Sequence, residues 1–321
     1  MRRLLGIFVL LTSAALVPSS AAAQADAPVG VRAAGMGGAF TAVADDASAV
    51  YWNPAGLASG SYFSLVIDRN DVRTADDAVA PRERTGLLLA LGTPPLGLTY
   101  YRTSETHRVA GGAAAGHIEQ LVTHQAGATL LQSIGRVFAV GATLKFVRGI
   151  AAAVDAQPGA GLDAADEVNG EGSNAFDADI GVMAILGGMK AGLTVRNAFE
   201  PSFDLPGGGG AIALERRVRV GVSFRAAEFL RLAADSDLTT VDAGSGPWRD
   251  AALGAESHVI KGLVMRGGFH WNTAAERLDA APIGSVGVSC PVYRSVLADA
   301  QASFGSRNGD HGWGVGVRVL F

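Results

Sequence analysis

The sequence predicts an all-β protein, a transmembrane antiparallel β-barrel of about 14 strands with an N-terminal hatch plugging its lumen. Three observations predict it. The C-terminal strand alternates large apolar residues with small or polar ones and ends on an aromatic. The same alternation recurs in about fourteen segments. The connections between those segments alternate long and short.

Composition narrows the field first. Glycine supplies 43 of 321 residues, hydrophobic residues 49% and charged residues only 17%, against about 25% charged in an average protein. Disordered chains are rich in charge and poor in apolar residues, so disorder is excluded. Twelve prolines without a glycine period exclude collagen. One cysteine excludes an internal disulfide and a Cys-x-x-Cys zinc site. A net charge of −4 and a pI near 5.9 leave no basic footprint for nucleic acid.

Residues 1–23 combine Arg2-Arg3, an apolar run from Leu4 to Val17 and small residues ending Ala21-Ala22-Ala23. These are the n-region, h-region and cleavage site of a secretory signal peptide. An exported chain is therefore expected. No other stretch holds about 18 consecutive apolar residues. In lipid, the remaining way to satisfy every backbone group is a closed barrel.

Residues 24–60 do not alternate. They carry two glycine clusters, around Gly35, Gly37 and Gly38 and around Gly56. A compact insert is expected here, and a fourteen-strand lumen is a leak unless something fills it.

Residues 61–321 form the barrel. Strands are expected near 61–69, 85–92, 96–103, 118–132, 135–148, 174–186, 188–198, 216–226, 228–239, 248–259, 262–270, 282–290, 294–304 and 311–321. Each is close to the roughly 9–11 residues that a tilted strand needs to cross a bilayer. Phe138, Val140, Leu144 and Phe146 alternate with Ala139, Gly141, Thr143 and Lys145. Val218, Val220, Val222 and Phe224 alternate with Arg217, Arg219, Gly221 and Arg225. A period of two is a strand signal; a helix would scatter these valines around its axis. Short links are expected at 93–95, 133–135, 187–188, 226–227, 260–261 and 291–293, with longer ones between. Short periplasmic turns and longer outer loops are the barrel pattern, with both ends of the barrel on the periplasmic side.

The last strand sets Trp313, Val315, Val317, Val319 and Phe321 on one face. This resembles the C-terminal signature of bacterial outer-membrane proteins, which implies that the barrel-insertion machinery reads it. The run from Arg32 to Leu57, above all Ala44-Asp45-Asp46-Ala47-Ser48 followed by Asn53-Pro54-Ala55-Gly56, resembles the hatch of the FadL-like outer-membrane superfamily. It is most similar to the PorV/PorQ-type branch. The resemblance covers about thirty residues and implies a fourteen-strand barrel whose N-terminus plugs the lumen. The long outer loops of the fatty-acid transporters have no counterpart here.

No catalytic set is visible, and no enzyme is expected. Gly35-x-Gly37-Gly38 is an incomplete dinucleotide fingerprint with no βαβ unit around it. The histidines show neither HExxH nor i,i+4 spacing, so no metal and no cofactor are expected. Cys290 falls on an apolar strand face and reads as a small hydrophobe. For Asp45 and Asp46, two readings are open: a cation site, or hydrogen bonds to hatch backbone. The inward phase carries Lys145, Lys190, Arg196, Arg217, Arg219, Arg225, Arg231, Arg266, Arg318, Asp177, Asp179, Asp235 and Asp237. These read either as cross-strand ion pairs or as an anion site for a carboxylate head-group. Asn53 and Pro54 read either as hatch structure or as a gate.

Two functions follow from the resemblance. One is passive transport of hydrophobic or amphipathic compounds through the barrel, with a fatty acid or other hydrophobic ligand as the partner. The other is an accessory role in type IX-like protein secretion, with a secretion-system or cargo protein as the partner. Outer-membrane lipids surround the barrel in both.

Overall fold

The computed structural model describes residues 29–74, 81–109, 116–155, 161–167, 170–243, 246–260, 262–274, 282–305 and 310–321. The expected signal peptide, 1–23, lies outside the described residues. Fourteen strands close into one antiparallel barrel. They are β1 Ser64–Arg73, β2 Arg82–Thr93, β3 Leu96–Val109, β4 His117–Ile134, β5 Phe138–Asp155, β6 Glu171–Leu186, β7 Met189–Arg196, β8 Arg217–Ala227, β9 Leu230–Asp237, β10 Asp250–Ile260, β11 Leu263–Asn272, β12 Ile283–Tyr293, β13 Val296–Phe304 and β14 His311–Leu320. Each pairs with its sequence neighbours, and β1 closes on β14 from Ser64↔Leu320 to Arg73↔His311. Closure leaves no unpaired sheet edge, which is what hydrocarbon surroundings demand.

The alternation of long and short connections holds all the way round. Tight turns occupy 94–95, 135–137, 187–188, 228–229 and 294–295, β10 and β11 are joined by a similarly short link that includes Gly262, and longer connections occupy the opposite end. We call these the turn end and the loop end; β1 starts and β14 finishes at the turn end. Three turns sit two or three residues later than the sequence pattern places them. Strand pairing outlasts the apolar alternation: polar residues such as Ser133 continue the ladder, and β8, β10 and β12 finish on β-bulges. At the loop end, β3 and β5 run beyond their apolar stretch for the same reason. Two two-stranded hairpins, Ser202–Asp204 with Ala211–Ala213 and Val241–Asp242 with Pro247–Trp248, lie within loop-end connections.

The two strand faces differ as the period predicts. Leu87, Leu98, Leu144, Phe176, Val222, Met265, Trp313, Val315 and Val317 are exposed on the outer face. A water-soluble monomer rarely shows so continuous an apolar band. The inward phase is polar and buried, with Lys145, Asp177, Asp179, Arg219, Asp235, Glu256 and Arg318 all at most 5% exposed. Cys290 lies on the exposed outer phase. Among the described residues, no helix is long and apolar enough to span a membrane.

Residues 29–60 form two single helical turns, Val31–Ala34 and Ala49–Trp52, and a 3-10 segment, Pro54–Ser59. Their apolar side chains make one cluster with inward-facing Val66, Leu88, Tyr101, Leu131, Ala139, Met183 and Ala252. The segment touches strands on every side of the ring. Where it passes, the strands carry glycine: a Cβ at Gly92, Gly97, Gly141, Gly192, Gly254 or Gly268 would run into its atoms. At Gly192 that Cβ would stand 2.7 Å from the Thr41 carbonyl oxygen. Close approach of two backbones is what places glycine inside a strand.

Candidate functional site

The N-terminal segment has little regular structure, so its backbone groups need partners. The strands supply many from inward side chains. Asp68 on β1 accepts from Val31 N at 2.8 Å, and Asp235 on β9 accepts from Phe40 N and Thr41 N at 3.0 and 2.8 Å. Thr143, Thr194 and Ser223 donate to the carbonyls of Val50, Trp52 and Ala42. Asn53 donates to Thr41 O and Val182 O, while its Oδ1 accepts from Ala55 N and so caps the 3-10 segment that Pro54 opens. Gly37 has φ +65°, and a Cβ there would stand 2.5 Å from Phe269 N. Gly35 approaches the Gly287 backbone in the same way, so this glycine cluster serves packing against β11 and β12. A Cβ on Gly56 would collide with Ala44 inside the segment itself.

Rings and guanidiniums pack together at the centre. Tyr51 meets Trp52 and Tyr101 edge-on at 5.6 and 5.4 Å, and Phe40 meets Trp52 at 5.9 Å. Arg196 lies over the Tyr51 ring at 4.4 Å, within the range of a cation–π contact.

Most of the charges that the sequence singles out fall into three groups. At the turn end, Arg32 grips Glu256 with two hydrogen bonds of 2.7 Å and reaches Asp45 at 2.5 Å and Asp46 at 3.0 Å. Arg231 pairs with Asp45 at 3.0 Å and Arg318 with Asp46 at 3.2 Å. Arg266 joins Glu256 at 2.8 Å, and Lys190 lies 3.8 Å from Asp45. In the second group, Lys145 binds Asp177 and Asp179 at 2.8 and 2.7 Å and donates to Asn197. In the third, Arg219 faces Asp235, Asp237 and Asp250 at 3.3, 3.3 and 2.8 Å. Arg217 is buried at the start of β8. Arg225 keeps the inward phase but stands at the turn-end bulge and is exposed, so it does not join a cluster of the interior.

Asp45 and Asp46 therefore face cations from this chain. Asp46 also accepts from Ser48 N and Oγ. Burial alone would raise the Asp46 carboxyl, but Arg32 and Arg318 outweigh it and hold it at about 2. Asp45 is lowered too: Arg32, Arg231 and Lys190 together overcome its burial. The turn-end group borders a cavity of about 380 Å³ that Ser59, His258 and Leu320 also line. Each guanidinium around it is already engaged by a carboxylate, so an added anion would have to displace one.

A second cavity, of about 90 Å³, lies on the loop side of the segment. Trp52, Val29 and Gly38 of the segment meet Val72, Asp250, His270, Ile283 and Gln301 of the strands there, with Trp248 from a loop-end hairpin. Sequence reasoning missed Trp52, Trp248 and Gln301. Their signal was weak: single residues on different elements, gathered only by closure of the ring.

The fold is shared with known channels. Solved structures similar to this chain include CymD, a monoaromatic hydrocarbon channel, with TM-score 0.67 and 12% identity, covering 90% of this chain and 96% of that one. The Ralstonia pickettii toluene transporter TbuX gives 0.61 and 13%, covering 91% and 98%. A Pseudomonas aeruginosa FadL homologue gives 0.56 and 11%, covering 88% and 96%. At these identities the likeness is one of fold, and it extends to the FadL-like barrel. None of the three is a PorV/PorQ-type protein. No curated protein matches the sequence. A family model described as "F plasmid transfer operon, TraF, protein" matches residues 20–237, more than half of the chain, and the chain belongs to that family.

Proposed function

We propose that the protein is an outer-membrane barrel for passive movement of small hydrophobic or amphipathic compounds, with residues 29–60 as a hatch that plugs the lumen and shifts to let them pass. One observation carries the reading: a closed fourteen-strand barrel of hydrocarbon-channel fold whose inward face is engaged by its own N-terminal segment. The turn end is then periplasmic and the loop end external. On this reading residues 1–23 are a removed export signal, and Trp313, Val315, Val317, Val319 and Phe321 guide insertion. Nothing in the fold or the site favours the secretion-accessory alternative.

The hatch is testable with a reversible staple. Ala47 N donates to Ser64 Oγ at 2.9 Å, so segment and β1 are in direct contact at this pair. In a Cys290→Ser background, Ala47→Cys with Ser64→Cys should form a bond that pins the segment to the wall. Whole cells producing the protein should take up toluene faster than cells without it; oxidation should remove the gain and reduction restore it. Equal uptake by cells with and without the protein would sink the transport reading. Equal uptake in oxidised and reduced cells, with the bond quantitatively formed, would sink the moving hatch.

A further inference from the structure

We infer that the outer wall of the barrel holds a membrane lipid by its phosphate, on a row of basic side chains that crosses β3, β4 and β5 at the loop-end margin of the apolar band. The inference rests on the outer-membrane reading above and not on transport. Arg102, His124 and Arg148 stand directly opposite one another in the ladder, as Arg102↔His124 and His124↔Arg148. All three keep the outward phase; Arg148 is exposed and the other two are half-buried. The same register row runs through Leu87 to an exposed arginine on β1, Arg69, and on the other side reaches Asn174 of β6.

The interior charges are met by carboxylates of this chain, but this row is not. On the outward phase of β1–β6 the only acids are Asp71 and Glu83, and Arg73 holds both, at 3.6 and 2.7 Å. Among the described residues, no carboxylate lies within ion-pair distance of Arg69, Arg102 or Arg148. A charge on the lipid-facing side of a barrel is costly away from the interface, so the row needs an anion from outside the chain. Arg102 and Arg148 are two strand spacings apart, about 9–10 Å, and their long side chains can close on one phosphate between them. Guanidinium and phosphate then make charge-assisted, bidentate hydrogen bonds.

The surroundings make that phosphate part of a lipid. On β2–β6 the exposed large apolar residues stop at this row: Leu98, Tyr100, Leu130, Leu144, Phe146 and Phe176 lie on its turn-end side, and none lies beyond it among the described residues. Phe146 meets Phe176 edge-on at 5.7 Å, and the Tyr100 hydroxyl shares a hydrogen bond of 2.8 Å with His124 Nδ1. Aromatic girdles of this kind mark the height of lipid headgroups. Farther toward the loop end the wall is covered instead, where Leu162 and Ala165 pack with Ile118 and Val154. A phosphate seated on the row therefore lays its acyl chains along the apolar band. A phosphomonoester carries about −1.5 to −2 charge at neutral pH, whereas the ammonium of a zwitterionic headgroup competes with the arginines. The partner is thus a lipid with a free phosphomonoester, in the leaflet at the loop end.

Native mass spectrometry tests this on the protein purified in detergent and stripped of lipid. Phosphatidic acid and phosphatidylcholine with the same acyl chains are offered in equal amounts. The wild type should retain phosphatidic acid with about tenfold preference. Arg102→Gln with Arg148→Gln should bring that preference toward one and leave phosphatidylcholine binding as it was. Arg73→Gln with Arg216→Gln removes the same charge from exposed arginines already paired with Glu83 and Glu200, and should keep the preference. No preference in the wild type, an unchanged preference in the first pair, or an equal loss in the second overturns the inference, provided that unboiled samples still run as closed barrels. Glycerol 3-phosphate at the same concentration should not displace the lipid; displacement would leave a plain anion site and overturn the lipid partner. A lipid preference in a protein whose cells gain no uptake would keep this site and remove the transport reading, and uptake without the preference would do the reverse.

Discussion

The Arg32 guanidinium carries five N–H donors in a fixed fork, and the turn-end group uses them on Glu256, Asp45 and Asp46 at once. Two of those carboxylates belong to the segment and one to β10, so this side chain fastens the segment both to itself and to the wall. Its removal leaves buried carboxylates short of a partner, which costs about 3–5 kcal/mol at such sites. Arg32→Met should therefore lower the temperature at which the unboiled band of the folded protein disappears. Arg32→Lys should recover only part of the loss, because an ammonium cannot bridge three carboxylates with a planar fork. Full recovery by lysine would reduce the contact to a point charge. The pH dependence has a definite sign. Asp46 is held at about 2, below the roughly 3.9 of an unfolded aspartate. Its contribution is complete above about pH 4 and fades as the pH falls toward 2. Thermal melts should show that acid loss in the wild type and a smaller one in Asp46→Asn. At this scale the sequence supplied residue types and phase but not partners. Arg231 and Glu256 face each other across neighbouring strands, but Asp45 meets them only because the N-terminal segment lies inside the ring.

At the scale of elements, strand phase was the most legible feature, because a period of two needs only local pattern to be read. Element ends were less so: the ladder continues through polar residues that break the apolar alternation, as at Ser133 and Tyr293. The glycine excess was visible as a number, but its cause was not. Several inward strand positions are glycine where the segment passes. The pattern was present, since Gly141, Gly192, Gly221 and Gly254 all fall in the inward phase, yet it gains meaning only once a second backbone is known to lie there. Two adjacent glycines on β11 make the test. A Cβ on Gly268 would collide with Met36 and stand 2.7 Å from Gly37 N, whereas one on Gly267 meets nothing closer than 3.8 Å. Gly268→Ala should push the segment off the wall and raise ion conductance in planar bilayers, with the barrel itself still closed. Gly267→Ala, one residue away on the outer face, should conduct as the wild type does. Equal conductance in both would mean that the segment does not obstruct the ring.

On the scale of the whole molecule, the two ends are closed by different physics. The turn end is held by ion pairs around a polar cavity. The loop end is covered on one side by the connection between β7 and β8, which folds inward so that Phe203, Leu205, Ile212 and Leu214 pack on Leu121, Val147 and Ala151. Phe203 is 1% exposed and lies against Gly149, where any larger residue would collide with its ring. The 90 Å³ cavity borders β1, β2 and β10–β13 instead, so among the described residues the Phe203 cluster and the approach to Trp52 and Trp248 lie on different sides of the mouth. If the Phe203 cluster is only a structural lid, loosening it should leave the route beside Trp52 untouched. Phe203→Ala removes a buried ring, a change worth about 3–5 kcal/mol when a site cannot collapse. The β7–β8 connection should then exchange amide hydrogen much faster over 202–213, while exchange in residues 29–60 stays as it was. Toluene uptake in cells should be unchanged, because among the described residues Phe203 and Trp52 belong to separate apolar clusters. A rise in exchange within residues 29–60, or a fall in uptake, would show instead that the lid and the segment move as one unit, and the division of the mouth would have to be abandoned.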